Sequence, residues 1–423
     1  MNRRRVVLFV ADGHRDDFLR DDTCPNLAAF AANGRRFRSH TGNFPSATRA
    51  SAASIATGCW PGSHGLHGNM MGLPDAGGIV VHDVGDPAFV GSLRRAFGRT
   101  LRTPTLAERL AAHGGAIVAS NVSPGAAYFH DPDGHGVVVH RAGSFGPGRR
   151  RLGPDEAPVV GHDAAGDAAL CDWFCARVAA DDGPALGVLW LCDPDLSMHA
   201  HALGSPGHLS GVAAADACFA KVRDAVDVMR AAGDEVLLIA CSDHGQETVA
   251  GHVSIADELV DAGLKDGAGS NEVAVAPQGS SGLVYLSGAG AARRNDIADF
   301  LIRHPHVGPV FLGPAMRSLG QAESDGLSIA FAMASDAEPN AHGVPGRIWV
   351  CASDAKPGKP IGRGSHGGLG RWERHPFLIA SGGGFAAGSE EYGQTRLIDI
   401  APTILRHLGL PRNGMDGLAL PQT

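Results

Sequence analysis

The chain has 423 residues, of which 44% are hydrophobic and 19% charged. That is the balance of a globular protein, at a length that suits two ordinary domains or one large α/β domain with an insertion. A formal net charge of −8 argues against a broad grip on polymeric nucleic acid, which needs a basic surface, but leaves nucleotides open as small substrates.

The first segment, MNRRRVVLFVADG, sets three arginines before a short apolar run. A secretory signal needs a longer apolar core and a small-residue cleavage site. The run therefore reads as a buried strand that ends at Asp12-Gly13, and a cytoplasmic location is expected. No stretch approaches the roughly 20 apolar residues that cross a bilayer, so no membrane partner is expected.

CPNLAAFAANGRRF predicts a helix with Pro25 in its first turn and Gly34 at its stop. Residues 44–58, FPSATRASAASIATG, predict a turn and then a helix ended by Gly58 and Pro61. TPTLAERLAAHGGAIVASNVSP predicts a helix and a strand, and residues 163–182 a helix. ALGVLWLCDPD predicts another buried strand, GVAAADACFAKVRDAVDVMRAAGD a long amphipathic helix, and EVLLIACSDHG the strand after it. This alternation predicts an α/β fold, a mostly parallel sheet with helices on both faces.

Beyond His244 the pattern loosens. Residues 251–360 hold short strands (SGLVYLSG, GRIWVCA) and one helix (ARRNDIADFLIRH). They are expected to form a smaller inserted cap on a catalytic core made of residues 1–250 and 361–423. HPFLIASG then restarts the main sheet, and TRLIDIAPTILRHLGL closes the chain with a helix, Asp399 near its start and Pro402 in its early turns. The eight cysteines include Cys192 and Cys241 in strand-like apolar runs, and Cys171 and Cys175 spaced for one helix face. All are read as packing thiols.

Seven residues stand where predicted strands run out into turns: Asp12, Thr48, Asp195, His199, Asp243, His244 and His366. In an open α/β sheet, ligands collect beyond the carboxyl ends of the strands, so residues distant in sequence can meet there. Asp195 and His199 are four apart, which a helical turn places on one face, and carboxylate with imidazole is a zinc-binding combination. Asp193 and His201 are local competitors. Asp243 and His244 are adjacent, and Gly245 is expected to permit the turn that aims both at one ion. His366 lies among glycines in GRGSHGGLG. Thr48 falls at a helix start, where it is either an N-cap, like Ser46, or a hydroxyl placed beside N–H groups that favour an anion.

Taken together, FVADG, FPSATRASAASIATGCWPGSHGLHGN, DPDLSMH, SDHG, GSHGG and DIAPTILRHLGL…DG resemble the alkaline phosphatase superfamily. The likeness is to its type I phosphodiesterase/nucleotide pyrophosphatase branch, which includes phosphonoacetate hydrolases. The resemblance implies an alkaline-phosphatase-like fold and two Zn²⁺ ions, a role that Mn²⁺ or Fe could share. One ion would be held by Asp195, His199 and His366, and the other by Asp12, Asp243 and His244, with Thr48 bound there as nucleophile. Asn69 falls where such enzymes donate a hydrogen bond to a phosphoryl oxygen. The implied reaction is hydrolysis of a phosphoric ester, diester or pyrophosphate through a phospho-threonine intermediate.

Nucleotide pyrophosphatases often carry an aromatic residue after the nucleophile; here it is Arg49, in a chain with three tyrosines. Arg49 reads equally as a receptor for a second anionic group or as a surface ion pair. The first reading raises a phosphonoacetate-type C–P hydrolase as the alternative, with Lys265 or an arginine of the cap supplying further positive charge. The expected partner is a small anionic phosphate or phosphonate, and a homodimer is left open. A sulfatase is disfavoured because Pro45 precedes the nucleophile position, out of step with the C/S-x-P-x-R pattern, and a mutase would be expected to use serine and manganese. A metal-stabilised binding protein without catalysis would keep the ligands but have no need of Thr48 or Asn69.

Overall fold

The computed structural model describes residues 3–353 and 358–423. Its centre is β1 (Arg4–Ala11), whose residues from Arg5 to Ala11 are all buried. A strand with neighbours on both edges and helices on both faces has no solvent-facing side, which is why it is continuously apolar from Val6 to Ala11. The elements around it are α1 (Pro25–Asn33), β2 (Arg35–Phe37), α2 (Thr48–Thr57), β3 (Ala116–Ser120), β4 (Val137–Val139), α3 (Ala164–Ala179), β5 (Leu186–Leu191), α4 (Asp195–Ala200), α5 (Pro206–Ala231), β6 (Glu235–Cys241), β7 (Leu378–Ser381), β8 (Ser389–Glu391) and α6 (Ile400–Leu408).

These strands form one sheet in the order β8-β2-β7-β6-β1-β5-β3-β4, extended by Phe145–Gly146 and Arg150–Arg151 to ten strands. From β6 to β4 every pairing is parallel, and β7 enters antiparallel between β6 and β2. Alternate residues of β1 feed opposite cores. Val6, Leu8 and Val10 pack with Ile55 of α2 and Ile404 of α6. Val7, Phe9 and Ala11 pack with Leu27 of α1, Phe174 of α3 and Phe219 of α5. Each such large apolar side chain contributes about 1.5–3 kcal/mol on burial.

Between β6 and β7 the chain builds two further four-stranded sheets. In one, Glu247–Val253 pairs parallel with Pro345–Cys351 and antiparallel with Gly364–Ser365. In the other, Val273–Pro277, Ser281–Leu286, Leu327–Met333 and Val307–Leu312 run antiparallel. The helix Arg294–Arg303 packs Leu301 against Val284 and Phe331 in a separate core.

Three local expectations change. The first helix stops at Gly34 as expected, its N–H closing on the Phe30 carbonyl, but the Arg35–Phe37 end of the segment pairs as a strand with β7 and β8. The helix expected over 163–182 is capped by the Asp163 side chain and stops at Ala179. The long helix starts earlier than its apolar pattern, at Pro206, because the Ser205 hydroxyl accepts from the His208 N–H. The hairpin of Met70–Asp75 and Gly78–Asp83 was not anticipated. Among the described residues no helix is long and apolar enough to cross a membrane.

Candidate active site

Strand register brings the separate segments together. Ala11 of β1 lies opposite Leu191 of β5, and Val10 lies opposite Cys241 of β6. The three strands therefore end side by side, and Asp12, Asp195 on the short helix α4, and Asp243 with His244 emerge at one edge. Gly13 turns the chain with φ +66°, and a Cβ there would lie 3.1 Å from Asp195. Its N–H donates to Asp243 Oδ1 at 3.2 Å. The His366 loop is pressed on from the other side: a Cβ on Gly367, at φ +126°, would lie 1.7 Å from the Gln278 carbonyl. Gly245 serves differently from expectation. It has no positive φ, and its small size instead admits the Trp372 carbonyl, 2.1 Å from where a Cβ would be.

Each of the three histidines is oriented through Nδ1, which donates to a backbone carbonyl. His199 donates to Gly364 at 2.8 Å, His244 to Gly245 at 3.0 Å and His366 to Ser46 at 2.7 Å. A carbonyl can only accept, so every Nε2 keeps its lone pair, the usual arrangement around a metal. His244 Nε2 stands 3.4 Å from Asp12 Oδ1 and 3.2 Å from Asp243 Oδ2. His199 Nε2 is 3.3 Å from Asp195 Oδ2, and His366 Nε2 is 3.6 Å from Asp195 Oδ1.

Two trios have donor atoms within 4.8 Å of one another: Asp12, Asp243 and His244, and Asp195, His244 and His366. His244 thus stands between the two groups, its ring stacked 3.7 Å from that of His366. His199 stands beside the second trio, its ring 5.4 Å from that of His366.

The donor set fits divalent cations. Asp12 Oδ1 and Asp243 Oδ2 are buried and accept no hydrogen bond, an arrangement that costs free energy unless a cation supplies the missing partner. Burial, then the charges of Asp243 and Asp195, push the Asp12 carboxyl well up; burial pushes Asp243 up. Burial holds His366 well below its ordinary value and lowers His199. Metal binding requires ionised carboxylates and neutral imidazoles, so a cation offsets the first tendency and suits the second.

Thr48 is the first residue of α2, and the N-cap is Ala47, whose side chain makes no capping bond. Neither Thr48 nor Ser46 is the cap. The Thr48 hydroxyl lies 3.2 Å from His244 Nε2. The Ser46 hydroxyl accepts from the Gly367 N–H and donates to the Gly368 carbonyl, tying this loop to that of His366. Asn69 Oδ1 accepts from the Arg49 N–H at 3.1 Å, and Asn69 lines the cavity with no hydrogen bond from its NH₂ among the described residues. Arg49 has a side chain 12% exposed and pairs with Asp83 at 3.0 Å, while its Nε donates to Ser123 and its Nη1 to the Asn69 carbonyl. Thr48, Arg49, Asn69, Asp83 and Ser123 line one cavity of about 640 Å³, together with Asp12, Asp195, His199 and His366.

Other named residues lie apart. Lys265 is buried, donating to the carbonyls of Ser270 and Val273, and does not reach the cavity. Asp193 accepts from the Ser197 N–H and hydroxyl, holding the first turn of α4, and His201 ends that helix. The sulfurs of Cys171 and Cys175 lie 4.0 Å apart, and all eight cysteines are free thiols.

Several supporting residues escaped sequence reasoning. The Trp190 indole donates to Asp12 Oδ2 at 2.9 Å; an aromatic N–H at a fully buried strand position was the available signal. The Gln246 amide donates to Asp195 Oδ1. Gln278 accepts from the N–H groups of Asn69 and Met70 and donates to the Met70 carbonyl, a contact from a distant strand end that nothing local in the sequence announces. Arg141 and His162 also line the cavity.

A family model described as type I phosphodiesterase/nucleotide pyrophosphatase matches residues 6–310. Among solved structures, murine ectonucleotide pyrophosphatase/phosphodiesterase 5, as an inactive variant in complex with AMP, aligns with TM-score 0.65 at 17% identity, covering 99% of this chain and 97% of that one. The human counterpart aligns with TM-score 0.64, the same identity and the same coverage. At this identity the likeness speaks for the fold. No curated protein matches by sequence.

Proposed function

This chain belongs to the type I phosphodiesterase/nucleotide pyrophosphatase family of the alkaline phosphatase superfamily, and from that premise we propose that it is a two-metal hydrolase using Thr48 as nucleophile on a phosphoric ester, diester or pyrophosphate. The observation that carries the reading is the Thr48 hydroxyl, 3.2 Å from His244 Nε2, at a helix start beside the two Asp/His trios. Asp12, Asp243 and His244 would hold one zinc. Asp195 and His366 would hold the other, completed by His199, whose Nε2 borders the same Asp195 carboxylate. The cations would polarise a phosphoryl oxygen and make the threonine hydroxyl more acidic.

Thr48 Oγ1 attacks phosphorus, its proton passing to water in the cavity. The Thr48 O–P bond forms as the bond to the leaving oxygen breaks, and that oxygen takes a proton from solvent. Asn69 presents its NH₂ to the phosphoryl oxygen that gains charge, its orientation held through the Arg49 N–H. Water then cleaves the Thr48 O–P bond, releasing phosphate or phosphate monoester and restoring the hydroxyl. The murine relative was solved with AMP, and a nucleotide ester is one substrate this reading admits. A phosphonoacetate-type C–P hydrolase is the second reading, favoured by Arg141 in the cavity wall.

The test is Thr48→Ala on the zinc-loaded protein with bis-p-nitrophenyl phosphate, nucleotide and phosphonate substrates. All turnover disappears while metal content is kept. Turnover near the wild-type rate in that variant sinks the mechanism. Two bound zincs with no hydrolysis of any ester or phosphonate by the wild type would instead support a binding protein.

A further inference from the structure

The cavity that holds Thr48 also contains an arginine with a different status from Arg49. Arg49 is consumed by Asp83, Ser123 and the Asn69 carbonyl. Arg141 also lines the cavity, but among the described residues no carboxylate forms an ion pair with it. Among the described residues all of its hydrogen bonds leave through one nitrogen: Nη1 donates to the carbonyls of Asn121 and Val122 and lies 3.3 Å from Asn121 Oδ1 and 3.2 Å from His140 Nε2. The guanidinium is therefore anchored along one edge, and among the described residues nothing engages its Nη2 or Nε. A planar fork fixed on one side and open on the other is the geometry that receives a carboxylate or phosphonate with two parallel bonds.

Position adds to this. Arg141 grips the Val122 carbonyl. The next residue, Ser123, accepts from Arg49 Nε, and Arg49 directly follows Thr48. The anchored guanidinium thus lines the same cavity as the proposed nucleophile and is tied to it through the Val122–Ser123 backbone and the Arg49 side chain. Among the described lining residues there is no Phe, Tyr or Trp, so no such ring is placed to stack a nucleobase.

We propose that Arg141 is the specificity residue of this site and that it receives a second anionic group, carboxylate or phosphonate, carried near the phosphorus that Thr48 addresses. The substrate class is then a small, doubly anionic phosphorus compound. The assignment rests on the hydrolase reading for its biological sense, but its test does not.

Calorimetric titration of the zinc-loaded protein with phosphonoacetate, methylenediphosphonate and methylphosphonate compares a carboxylate, a phosphonate and nothing at the second position. The wild type binds at least one of the first two tighter than methylphosphonate by roughly 10- to 100-fold, the worth of one charge-assisted contact. Arg141→Met erases that preference while holding methylphosphonate within about threefold. Arg141→Lys, which keeps the charge and loses the fork, recovers part of the preference. Which of the two ligands loses more identifies the second anion. An unchanged preference in Arg141→Met, equal losses for all three ligands, or a wild type that does not discriminate overturns the proposal. Thr48-dependent hydrolysis is measured separately: discrimination without any turnover refutes the hydrolase reading and leaves Arg141 assigned.

Discussion

Asn69 offers a test in which anchoring and donation come apart. Its Oδ1 accepts from the Arg49 N–H at 3.1 Å, and its backbone N–H donates to Gln278 Oε1 at 2.6 Å. The side-chain NH₂ has no hydrogen-bond partner among the described residues, and Asn69 lines the cavity. Asn69→Asp keeps an acceptor at Oδ1 and loses only the cavity donor, replacing it with a negative oxygen. Folding then loses no hydrogen bond, and urea midpoints stay close to wild type. The rate behaves differently, because a donor aimed at developing oxyanion charge is worth about 2.7–4 kcal/mol, or roughly 10²–10³ in kcat. Asn69→Asp loses at least that much, since a carboxylate also repels the phosphoryl oxygen. Asn69→Ala loses a similar amount in kcat and, by freeing the Arg49 N–H, a further ~0.5–1.5 kcal/mol of stability. The assay is steady-state hydrolysis of bis-p-nitrophenyl phosphate at matched zinc content, alongside urea unfolding. Asn69→Asp or Asn69→Ala turning over within a few-fold of wild type refutes the donor role.

Two further outcomes follow from buried polar groups. Trp190→Phe removes the indole N–H bonded to Asp12 Oδ2 and lowers zinc affinity by about 10- to 100-fold, read by competition with a chromogenic chelator; unchanged affinity would show that this bond does not orient the ligand. Burial, then the nearby Glu373 charge, pushes the Glu247 carboxyl up to about 8, so the folded state holds a proton that the unfolded chain releases near pH 4.5. Its contribution is complete below that value and is lost as pH rises through 8. Glu247→Gln therefore flattens the fall in stability over this window, checked by urea melts at pH 5, 7 and 9; parallel curves for the two proteins count against a raised carboxyl.

The alternation of apolar strands and amphipathic helices was legible because each core strand repeats one chemistry over its whole length. β1, β5 and β6 are buried on both faces, so their sequences carry no alternation and are hard to mistake. Arg35–Phe37 was not legible: three residues, two of them arginine, pair as a strand only because β7 and β8 lie beside them. The sheets built from residues 247–351 were read only in part, since strands such as Ser335–Pro339, exposed throughout, take their conformation from pairing and not from burial.

Within the site, the candidate Asp and His residues were readable because each stands where a buried strand runs out into a turn. Their order along the chain, with FPSAT and Asn69 between them, carried the family likeness. What the chain by itself determines is therefore the inventory: an α/β sheet, a set of Asp and His residues at its carboxyl edge, and a hydroxyl at a helix start. Tertiary structure decides the rest. Strand register sets which candidate Asp and His residues face one another and places His244 between two groups. Packing of a distant strand end delivers Gln278 to the Asn69 backbone, and carbonyl contacts hold Arg141 at the cavity wall. These are contacts between segments tens to hundreds of residues apart, and no local pattern records them, because the partner's position exists only once the chain has folded.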